Sequence, residues 1–244
     1  MSDLHRGRHV ARFAASPADI GRALALRARC FRGGADDGDA FDAACRHMLV
    51  EEAPTGRLAC TFRLLPLGGG GEIGRSYSAQ HYDLSALEGF EGPMVEVGRF
   101  CIDPDLHDAD ILRVAWGAMT RYVDETGTQM LFGCSSFAGT ETARYLDAFA
   151  MLRDRHLAPK RWLPRVKARD VFRFARTRAA PRQPDARRAL KGMPPLLRSY
   201  LAMGGWVSDH AVVDRDLGTL HVFTGLEIAA IPPARARALR AVAG

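Results

Sequence analysis

The sequence predicts an α/β (α+β) fold in which helices cover both faces of a central sheet. Three observations predict this class: an early strand pair, a strand, helix and buried strand between Val95 and Cys134, and a late strand pair. Apolar residues that alternate mark the strands, and a helical period marks the helices. We expect one domain over residues 1–244, with a core at about 9–175 and a C-terminal extension at about 176–244.

The first elements are a strand, a helix and a hairpin. His9 to Ala15 is a predicted strand, and Ser16 before Pro17 marks the start of a helix that ends before Gly33. The helix is followed by an acidic loop, Ala35 to Asp42, whose simplest interpretation is a solvated turn. Two further strands, His47–Glu51 and Arg57–Leu65, are joined by a short Pro-Thr-Gly turn.

A run of four glycines, Gly68 to Gly71, follows the hairpin. Phosphate-binding loops end in Lys-Ser or Lys-Thr, and neither pair occurs here. We therefore interpret the run as a flexible connection. Ser78 to Leu87 is predicted to be a short helix or an irregular segment.

The strand that begins at Val95 carries two charged residues, Glu96 and Arg99. Three residues separate them, so an ideal strand would direct their side chains to opposite faces. A bulge at Gly98 would bring both to one side. It would also leave backbone amides unpaired beside a carboxylate, an arrangement that suits acyl transfer.

The next helix covers Ala109 to Glu125, with Asp108 or Asp110 as its cap and Gly127 at its end. The apolar strand Met130–Cys134 is typical of burial on both faces. Its continuation is polar, and Thr140 is predicted to cap a helix that runs through Leu152.

Four further elements are expected in the last third of the chain. They are a strand at Val171–Phe174, a helix that starts at Pro194 and Pro195 and ends at Gly204, a strand pair, Trp206–Val213 with Thr219–Thr224, and a last helix, Ala234–Val242. An Arg- and Pro-rich loop precedes them between Thr177 and Asp185.

Composition restricts the class of protein. Five cysteines occur without any C-x-x-C pair, which argues against a disulfide framework or a zinc knuckle and favours a reducing compartment. The polar N-terminus does not look like a signal peptide, and no apolar window is long enough to span a membrane. We expect a cytoplasmic protein without a metal.

Positive charge is concentrated in one region, Arg153 to Lys191, which we call the basic segment. It contains 14 Lys or Arg residues and three Asp residues, whereas the whole chain has a net charge of +6. Such a segment can bind acidic protein, anionic lipid or nucleic acid. No zinc finger or aromatic ladder accompanies it, so nucleic acid is not an expected partner.

Two common catalytic signatures are absent. The sequence contains neither G-x-G-x-x-G after a strand nor G-x-S-x-G, which argues against a dinucleotide fold and the common hydrolases. Cys134 lies near a strand end, where a thiol nucleophile would be usable. A buried Cys is nevertheless more often a packing residue.

Four groups of residues occur in a specific order: Asp39, Phe41, Asp42 with Leu49 and Val50; Thr61, Arg63, Leu64, Leu65; Glu96, Gly98, Arg99; and Phe132, Gly133, Cys134, Ser135, Ser136, Phe137, Gly139, Thr140. Together they resemble the ornithine N-alpha-acyltransferase family, which makes the lyso form of ornithine lipids. The resemblance covers about residues 20–150 and continues more loosely over 194–205. The family is related to acyl-homoserine lactone synthases.

The resemblance implies a Gcn5-related acyltransferase-like central mixed sheet with helices on both faces, plus a C-terminal helix and strand pair. Relatives that use coenzyme A carry glycines before the central helix, where backbone amides bind pyrophosphate. Here Asp105, Asp108 and Asp110 stand there, without glycine. This favours the acyl thioester of acyl carrier protein as co-substrate, and no other cofactor is expected. Relatives typically have Arg at the position that His107 occupies in this chain.

The implied reaction moves a 3-hydroxyacyl group to the α-amine of L-ornithine. Glu96 is the candidate base, and Ser135 or Ser136 could donate to the departing thiolate. A second group, Asp39, Asp42, Arg63 and Arg99, is the candidate substrate-binding set. In the alternative interpretation this set forms a structural charge cluster that fixes the acidic loop, and Glu96 only pairs with Arg99.

Several alternatives stay open from the sequence. Glutamine could replace ornithine, and the chain could be an acyl-homoserine lactone synthase, although no Trp precedes Trp116. A non-catalytic protein of the same fold could use the basic segment to bind a carrier or a membrane. The basic segment could also hold the enzyme peripherally on the inner face of the cytoplasmic membrane.

Overall fold

A computed structural model describes residues 2–177, 179, 181 and 183–244. Three residues of the basic segment, Arg178, Ala180 and Arg182, therefore lie outside the described residues. The strands are β1 (Leu4–Arg6), β2 (His9–Phe13), β3 (Arg46–Glu52), β4 (Leu58–Leu67), β5 (Tyr82–Asp83), β6 (Met94–Ile102), β7 (Met130–Ala138), β8 (Arg165–Val166), β9 (Val171–Phe172), β10 (Trp206–Val207), β11 (Ala211–Asp214) and β12 (Thr219–Glu227). The helices are α1 (Pro17–Phe31), α2 (Ser78–His81), α3 (Ala109–Thr126), α4 (Leu146–Arg155), α5 (Ala186–Gly192), α6 (Pro195–Ala202) and α7 (Pro233–Ala243).

The chain divides into two compact units. The first comprises Met1–Pro66, Val95–Gln129 and Pro232–Gly244, and the second comprises Leu67–Met94 and Met130–Ile231. Strands and helices alternate in both, so the predicted α/β (α+β) class is confirmed. The expectation of one domain over residues 1–244 stays a prediction.

In the first unit the strands follow the order β1, β2, β3, β4, β6. The first three pairings are antiparallel, with Ala11 opposite Val50 and Leu49 opposite Thr61. Helix α3 packs on β1, β2 and β3, while α7 packs on α3. The core of the first unit is apolar. Met48, Leu49 and Met119 are completely buried in it.

In the second unit β7 pairs with β12 along nine residues, and β12 continues to β11 and β9. Strand β10 also pairs with β12, and β5 pairs with β8. Helix α4 packs against α5 over an aromatic core that includes Phe137, Phe149 and Phe174. The predicted late strand pair and the helix at Pro195 are therefore confirmed.

Local chemistry explains the helix ends. The hydroxyl of Ser16 accepts a hydrogen bond from the Asp19 amide at the start of α1, and Asp108 caps α3 in the same way through the amide of Asp110. Gly127 ends α3 at φ 64°, in the left-handed region that glycine favours. Each of these boundaries agrees with the sequence prediction.

Some local predictions were wrong. Thr140 does not cap a helix, because a 3₁₀ turn covers Thr142–Tyr145 and α4 starts at Leu146 without a side-chain cap. The strand predicted over Trp206–Val213 is split into β10 and β11, since Ser208 turns inward and its hydroxyl donates to the His210 carbonyl. The predicted strand at Val171–Phe174 ends at Phe172.

The glycine run is more ordered than a flexible connection. A 3₁₀ turn covers Gly70–Arg75, and the Gly70 amide donates to the carbonyl of Phe90 at 2.9 Å. A Cβ atom at Gly70 would lie 2.0 Å from the Leu87 carbonyl oxygen. Gly70 is therefore required for a close backbone approach. In the part of the chain that the structure describes, no helix is both long and apolar enough to cross a membrane.

Candidate active site

Strand β6 is irregular close to where the sequence predicts a bulge. Arg99, one residue after Gly98, has φ 52°, a conformation that residues other than glycine rarely adopt. Glu96 lies on the regular part of the strand and is 5% exposed. A Cβ atom at Gly98 would lie 3.4 Å from Nε of Arg63. Since residues 96 and 98 share one face of the strand, Glu96 and Arg63 lie on the same side of the sheet.

Seven charged residues of the first unit form one network, which we call the acidic-loop cluster. Every carboxylate in the cluster contacts at least two arginines. The members are Arg27, Arg32, Asp37, Asp39, Asp42, Arg63 and Arg99. The structure therefore brings together Asp39, Asp42, Arg63 and Arg99, the four residues that the sequence analysis grouped.

The most buried pair of the cluster is Arg27 with Asp37. Their side chains are 1% and 0% exposed, and Nε of Arg27 lies 2.8 Å from Oδ2 of Asp37. A second nitrogen of Arg27 donates to the Asp37 carbonyl at 2.6 Å, and a third lies 2.5 Å from Asp42. Buried charges are tolerated when they are paired and hydrogen bonded in this way. The pair anchors the acidic loop to helix α1.

Arg63 holds the other end of the loop. It contacts both oxygens of Asp39, at 2.5 and 2.8 Å, and Oδ1 of Asp42 at 2.6 Å. Burial opposes the positive charge, but these hydrogen bonds outweigh burial and raise the pKa of Arg63 above its ordinary value. Burial also opposes ionisation of Asp42, yet the hydrogen bond from Arg27 and those from the Asp39 amide and Arg63 lower its pKa to about 2.

Asp39 is the most exposed acid of the cluster, with 23% of its side chain accessible. Its Oδ1 accepts from Arg63 and from the Phe41 amide, and its Oδ2 accepts from Arg63 and Arg99. A carboxylate has about four acceptor positions, so these are filled. A substrate ammonium could bind Asp39 only by replacing an arginine contact. This geometry supports the structural interpretation of the two acids, and their substrate-binding role stays a prediction.

Cys45 adjoins both Glu96 and the cluster. The pKa of the Cys45 thiol is raised to about 11, chiefly by burial; the positive charge of Arg63 opposes this rise, and the negative charges of Glu96, Asp42 and Asp39 contribute to it. The thiol is therefore protonated at neutral pH and unsuited to nucleophilic attack.

The two candidate serines belong to the second unit. Ser135 is buried and accepts a hydrogen bond from the Thr224 hydroxyl at 2.9 Å, whereas Ser136 is exposed and lies opposite His221 in the β7–β12 ladder. Consecutive residues of a strand point to opposite faces, so the two hydroxyls cannot act on one substrate atom together. Cys134 is half-buried, with its sulfur 3.4 Å from the Ser78 hydroxyl.

The start of helix α3 is acidic in the structure as in the sequence. Asp108 uses Oδ1 to accept from the Asp110 amide at 2.9 Å. The side chains of Asp105 and Asp110 are 69% and 54% exposed. Backbone amides that bind pyrophosphate must be free and far from negative charge. This helix start meets neither condition.

Residues 27–117 match the model of an acetyltransferase (GNAT) domain. An L-ornithine N(alpha)-acyltransferase of Rhodobacter capsulatus is 33% identical over 191 residues, which are 76% of this chain and 72% of that protein. The chain belongs to the L-ornithine N(alpha)-acyltransferase family. It is therefore an N-acyltransferase.

One further relative and one solved structure are similar to this chain. An L-ornithine N(alpha)-acyltransferase of Rhizobium meliloti is 29% identical over 239 residues, 90% of this chain and 80% of that protein. The structure of FeeM, an N-acyl amino acid synthase from uncultured soil microbes, superposes with a TM-score of 0.51 at 12% identity. That match covers 97% of both chains and supports the fold.

Three residues of the cluster, Arg27, Arg32 and Asp37, escaped the sequence analysis. Ile20, Leu24 and Ala28 follow a helical period, which predicts that they form the buried face of α1, but all three are only partly buried. The buried positions of α1 are Asp19, Ala23, Leu26 and Arg27. A signal was present, because Arg27 follows the buried Ala23 by one helical turn.

Proposed function

We propose that this chain transfers a 3-hydroxyacyl group from acyl carrier protein to the α-amine of L-ornithine, with lyso-ornithine lipid as the product. The choice of ornithine is supported by the names of four relatives that are 27–33% identical to this chain. The observation that carries the chemistry is the irregular strand β6, where buried Glu96 precedes the left-handed Arg99.

The proposed step is attack of the neutral α-amine on the thioester carbonyl. A C–N bond forms, the C–S bond breaks, and the thiol of the carrier's phosphopantetheine leaves with a proton. Glu96 accepts the proton of the attacking amine, directly or through one water. Backbone amides near Gly98, beside the left-handed Arg99, would stabilise the oxyanion. Both groups sit on one element, which fixes their spacing.

The serines and the cluster have supporting roles in this proposal. Of the two candidate serines of the second unit, Ser136 is exposed, whereas Ser135 accepts a hydrogen bond from Thr224, and donation by Ser136 to the departing thiolate stays a prediction. Arg63 and Arg99 would hold the substrate carboxylate in place of Asp39, and Asp39, released from these arginines, would take the side-chain ammonium. Asp42 would then act mainly by holding Arg63.

The choice of acyl carrier protein over coenzyme A is supported by the start of helix α3. Its exposed acids, Asp105 and Asp110, pair with Arg29 and Arg113 at 2.9 and 2.8 Å, so they would compete with the pyrophosphate of coenzyme A for these cations. Acyl carrier protein presents the same phosphopantetheine thiol without a free nucleotide. The carrier is an acidic protein and therefore needs a basic partner surface.

The basic segment offers such a surface on helix α5. Arg187, Arg188 and Lys191 are exposed there, and Leu190 between them is 47% exposed. An accessible apolar side chain surrounded by cations suits an acidic helix that carries its own apolar residue. We place the carrier on this helix. An anionic membrane, which the amphiphilic product must reach, is the alternative partner.

The test is a donor and acceptor matrix with purified full-length chain. 3-Hydroxyacyl carrier protein and the matching acyl coenzyme A are each offered with L-ornithine, L-glutamine or S-adenosylmethionine, and products are identified by mass spectrometry. We expect N-acyl-ornithine from the carrier with a kcat/KM at least tenfold above that with coenzyme A. Acyl-glutamine or acyl-homoserine lactone as the main product would overturn the choice of ornithine as acceptor. Equal rates with acyl carrier protein and acyl coenzyme A would overturn the choice of the carrier as donor.

A further inference from the structure

A second group of polar residues lies in the second unit and has no part in the proposed acyl transfer. His81 ends α2, Asp214 ends β11 and His221 lies within β12. One ligand atom from each of the three lies within 4.8 Å of the others. We propose that these three residues bind a divalent transition-metal ion, with Zn²⁺ as the preferred ion.

His221 is arranged as a ligand. It is 2% exposed, and its Nδ1 lies 3.1 Å from the Tyr82 hydroxyl. That hydroxyl donates to the His221 carbonyl at 2.8 Å, so Nδ1 must be the donor in its contact with Tyr82. The proton is then on Nδ1, and Nε2 carries a lone pair. Nε2 is buried and has no hydrogen-bond partner.

Asp214 supplies negative charge at the same place. It is 8% exposed, and its Oδ1 accepts from the Leu217 amide at 3.0 Å. Among the described residues, no Lys or Arg nitrogen forms an ion pair with this carboxylate. A buried carboxylate without a cationic partner is costly, and a bound cation would remove that cost.

The donor set selects the kind of ion. Two imidazoles and one carboxylate suit zinc and similar first-row ions, whereas Mg²⁺ and Ca²⁺ prefer oxygen ligands alone. Ligand atoms in a tetrahedral zinc site are about 3.3 Å apart, so closing this set needs a shift of about 1 to 1.5 Å. His81 is only partly buried, at the end of a four-residue helix, and can supply that shift.

The surroundings of His221 favour its neutral form. Its Nδ1 donates to the Tyr82 hydroxyl, so the lone pair of the neutral ring is on Nε2. The contact with Tyr82 fixes the ring orientation, as a second-layer hydrogen bond commonly does for a metal-bound histidine. The bound ion would join α2 to the β11–β12 pair. No ligand spacing in the sequence predicts this set.

The test uses untagged full-length protein that has been treated with a chelator. Bound Zn²⁺ is measured by competition with a chromophoric chelator, and Co²⁺ is used as a spectroscopic probe. We expect one equivalent of ion per chain and the intense visible bands of four-coordinate Co²⁺. His221→Gln and Asp214→Asn should lower Zn²⁺ affinity at least tenfold. Exposed His107→Gln is the matched control and should bind as the original chain does.

A variant of the buried histidine could fail to fold, so a milder change completes the design. Tyr82→Phe keeps the ring but removes the hydroxyl that orients His221, and we expect a loss of about 10- to 100-fold in affinity. The proposal is overturned if the original chain binds no Zn²⁺ and gives no visible Co²⁺ spectrum. It is also overturned if Tyr82→Phe and Asp214→Asn, both folded, bind as tightly as His107→Gln.

Discussion

Arg63 and Asp39 form a two-pronged ion pair in which Nη1 and Nη2 of the arginine lie 2.5 and 2.8 Å from the two carboxylate oxygens. The arginine side chain is 4% exposed and the aspartate side chain 23%. The pair therefore joins a buried strand residue to a partly accessible loop residue. It makes the acidic loop part of the sheet rather than a solvated turn.

We predict that Asp37→Asn destabilises the protein strongly. The side chain of Asp37 is fully buried and contacts Arg27, Arg32 and Arg99. Neutralising it removes one ionic partner from each of these guanidinium groups at a fully buried position, which costs about 3–5 kcal/mol. Equilibrium urea unfolding measures the loss. Exposed Asp36→Asn is the control, with an expected change within about 0.5 kcal/mol, and equal midpoints for both variants would contradict the role of Asp37.

We predict a specific acid dependence of stability from Asp42. The pKa of Asp42 falls from 3.8 to about 2 on folding, so its ion pairs stabilise the protein fully above about pH 4. This contribution is lost as pH falls through about 2. Urea midpoints of the original chain and Asp42→Asn should therefore differ at pH 5 and converge towards pH 2. A difference independent of pH would show that the ionised form of Asp42 does not matter.

We predict that Gly70→Ala is destabilising and that its neighbour tolerates the same change. The new Cβ would overlap the Leu87 carbonyl at 2.0 Å, whereas a Cβ at Gly71 meets nothing within 4 Å. Overpacking of this kind costs about 1–3 kcal/mol. Thermal and urea unfolding of both variants provide the comparison. If Gly70→Ala were as stable as Gly71→Ala, the glycine run would be the flexible connection that the sequence indicated.

We predict that reversing two charges on α5 weakens use of the carrier. Arg187→Glu with Arg188→Glu should raise KM for acyl carrier protein at least about tenfold and leave kcat unchanged, because the change affects docking and not the reacting groups. The control is Arg235→Glu with Arg237→Glu on α7, which alters net charge equally. An equal rise in KM for both double variants would indicate a general charge effect. An unchanged KM in the α5 variant would move the carrier elsewhere.

Elements that depend on local chemistry could be predicted from the sequence. The starts of α1, α6 and α7 follow prolines at their first turns, and the end of α3 follows from Gly127. That Thr140 does not cap a helix could not be predicted from the sequence, because the chain after β7 first makes a 3₁₀ turn. Tyr145 stabilises that turn from its end by donating to the Ala138 carbonyl at 2.6 Å.

The candidate site was predictable only in part. The motifs predicted that Asp39, Asp42, Arg63 and Arg99 belong to one group, because related acyltransferases share that order of residues. The anchor pair of Arg27 and Asp37 depends on which face of α1 is buried, and helical period alone placed that face slightly wrongly. The metal-ligand set depends on α2, β11 and β12 meeting in space, which no local pattern encodes.

The most direct test of the account is the rate of N-acyl-ornithine formation from 3-hydroxyacyl carrier protein by the original chain and by Glu96→Gln. Unfolding midpoints of both proteins confirm that the substitution leaves the fold intact. We predict product from the original chain and a loss of about 10²- to 10⁴-fold in kcat/KM for Glu96→Gln, because the amine then lacks its proton acceptor. Equal rates would contradict Glu96 as the base. No N-acyl product from the folded original chain would contradict the proposed reaction itself.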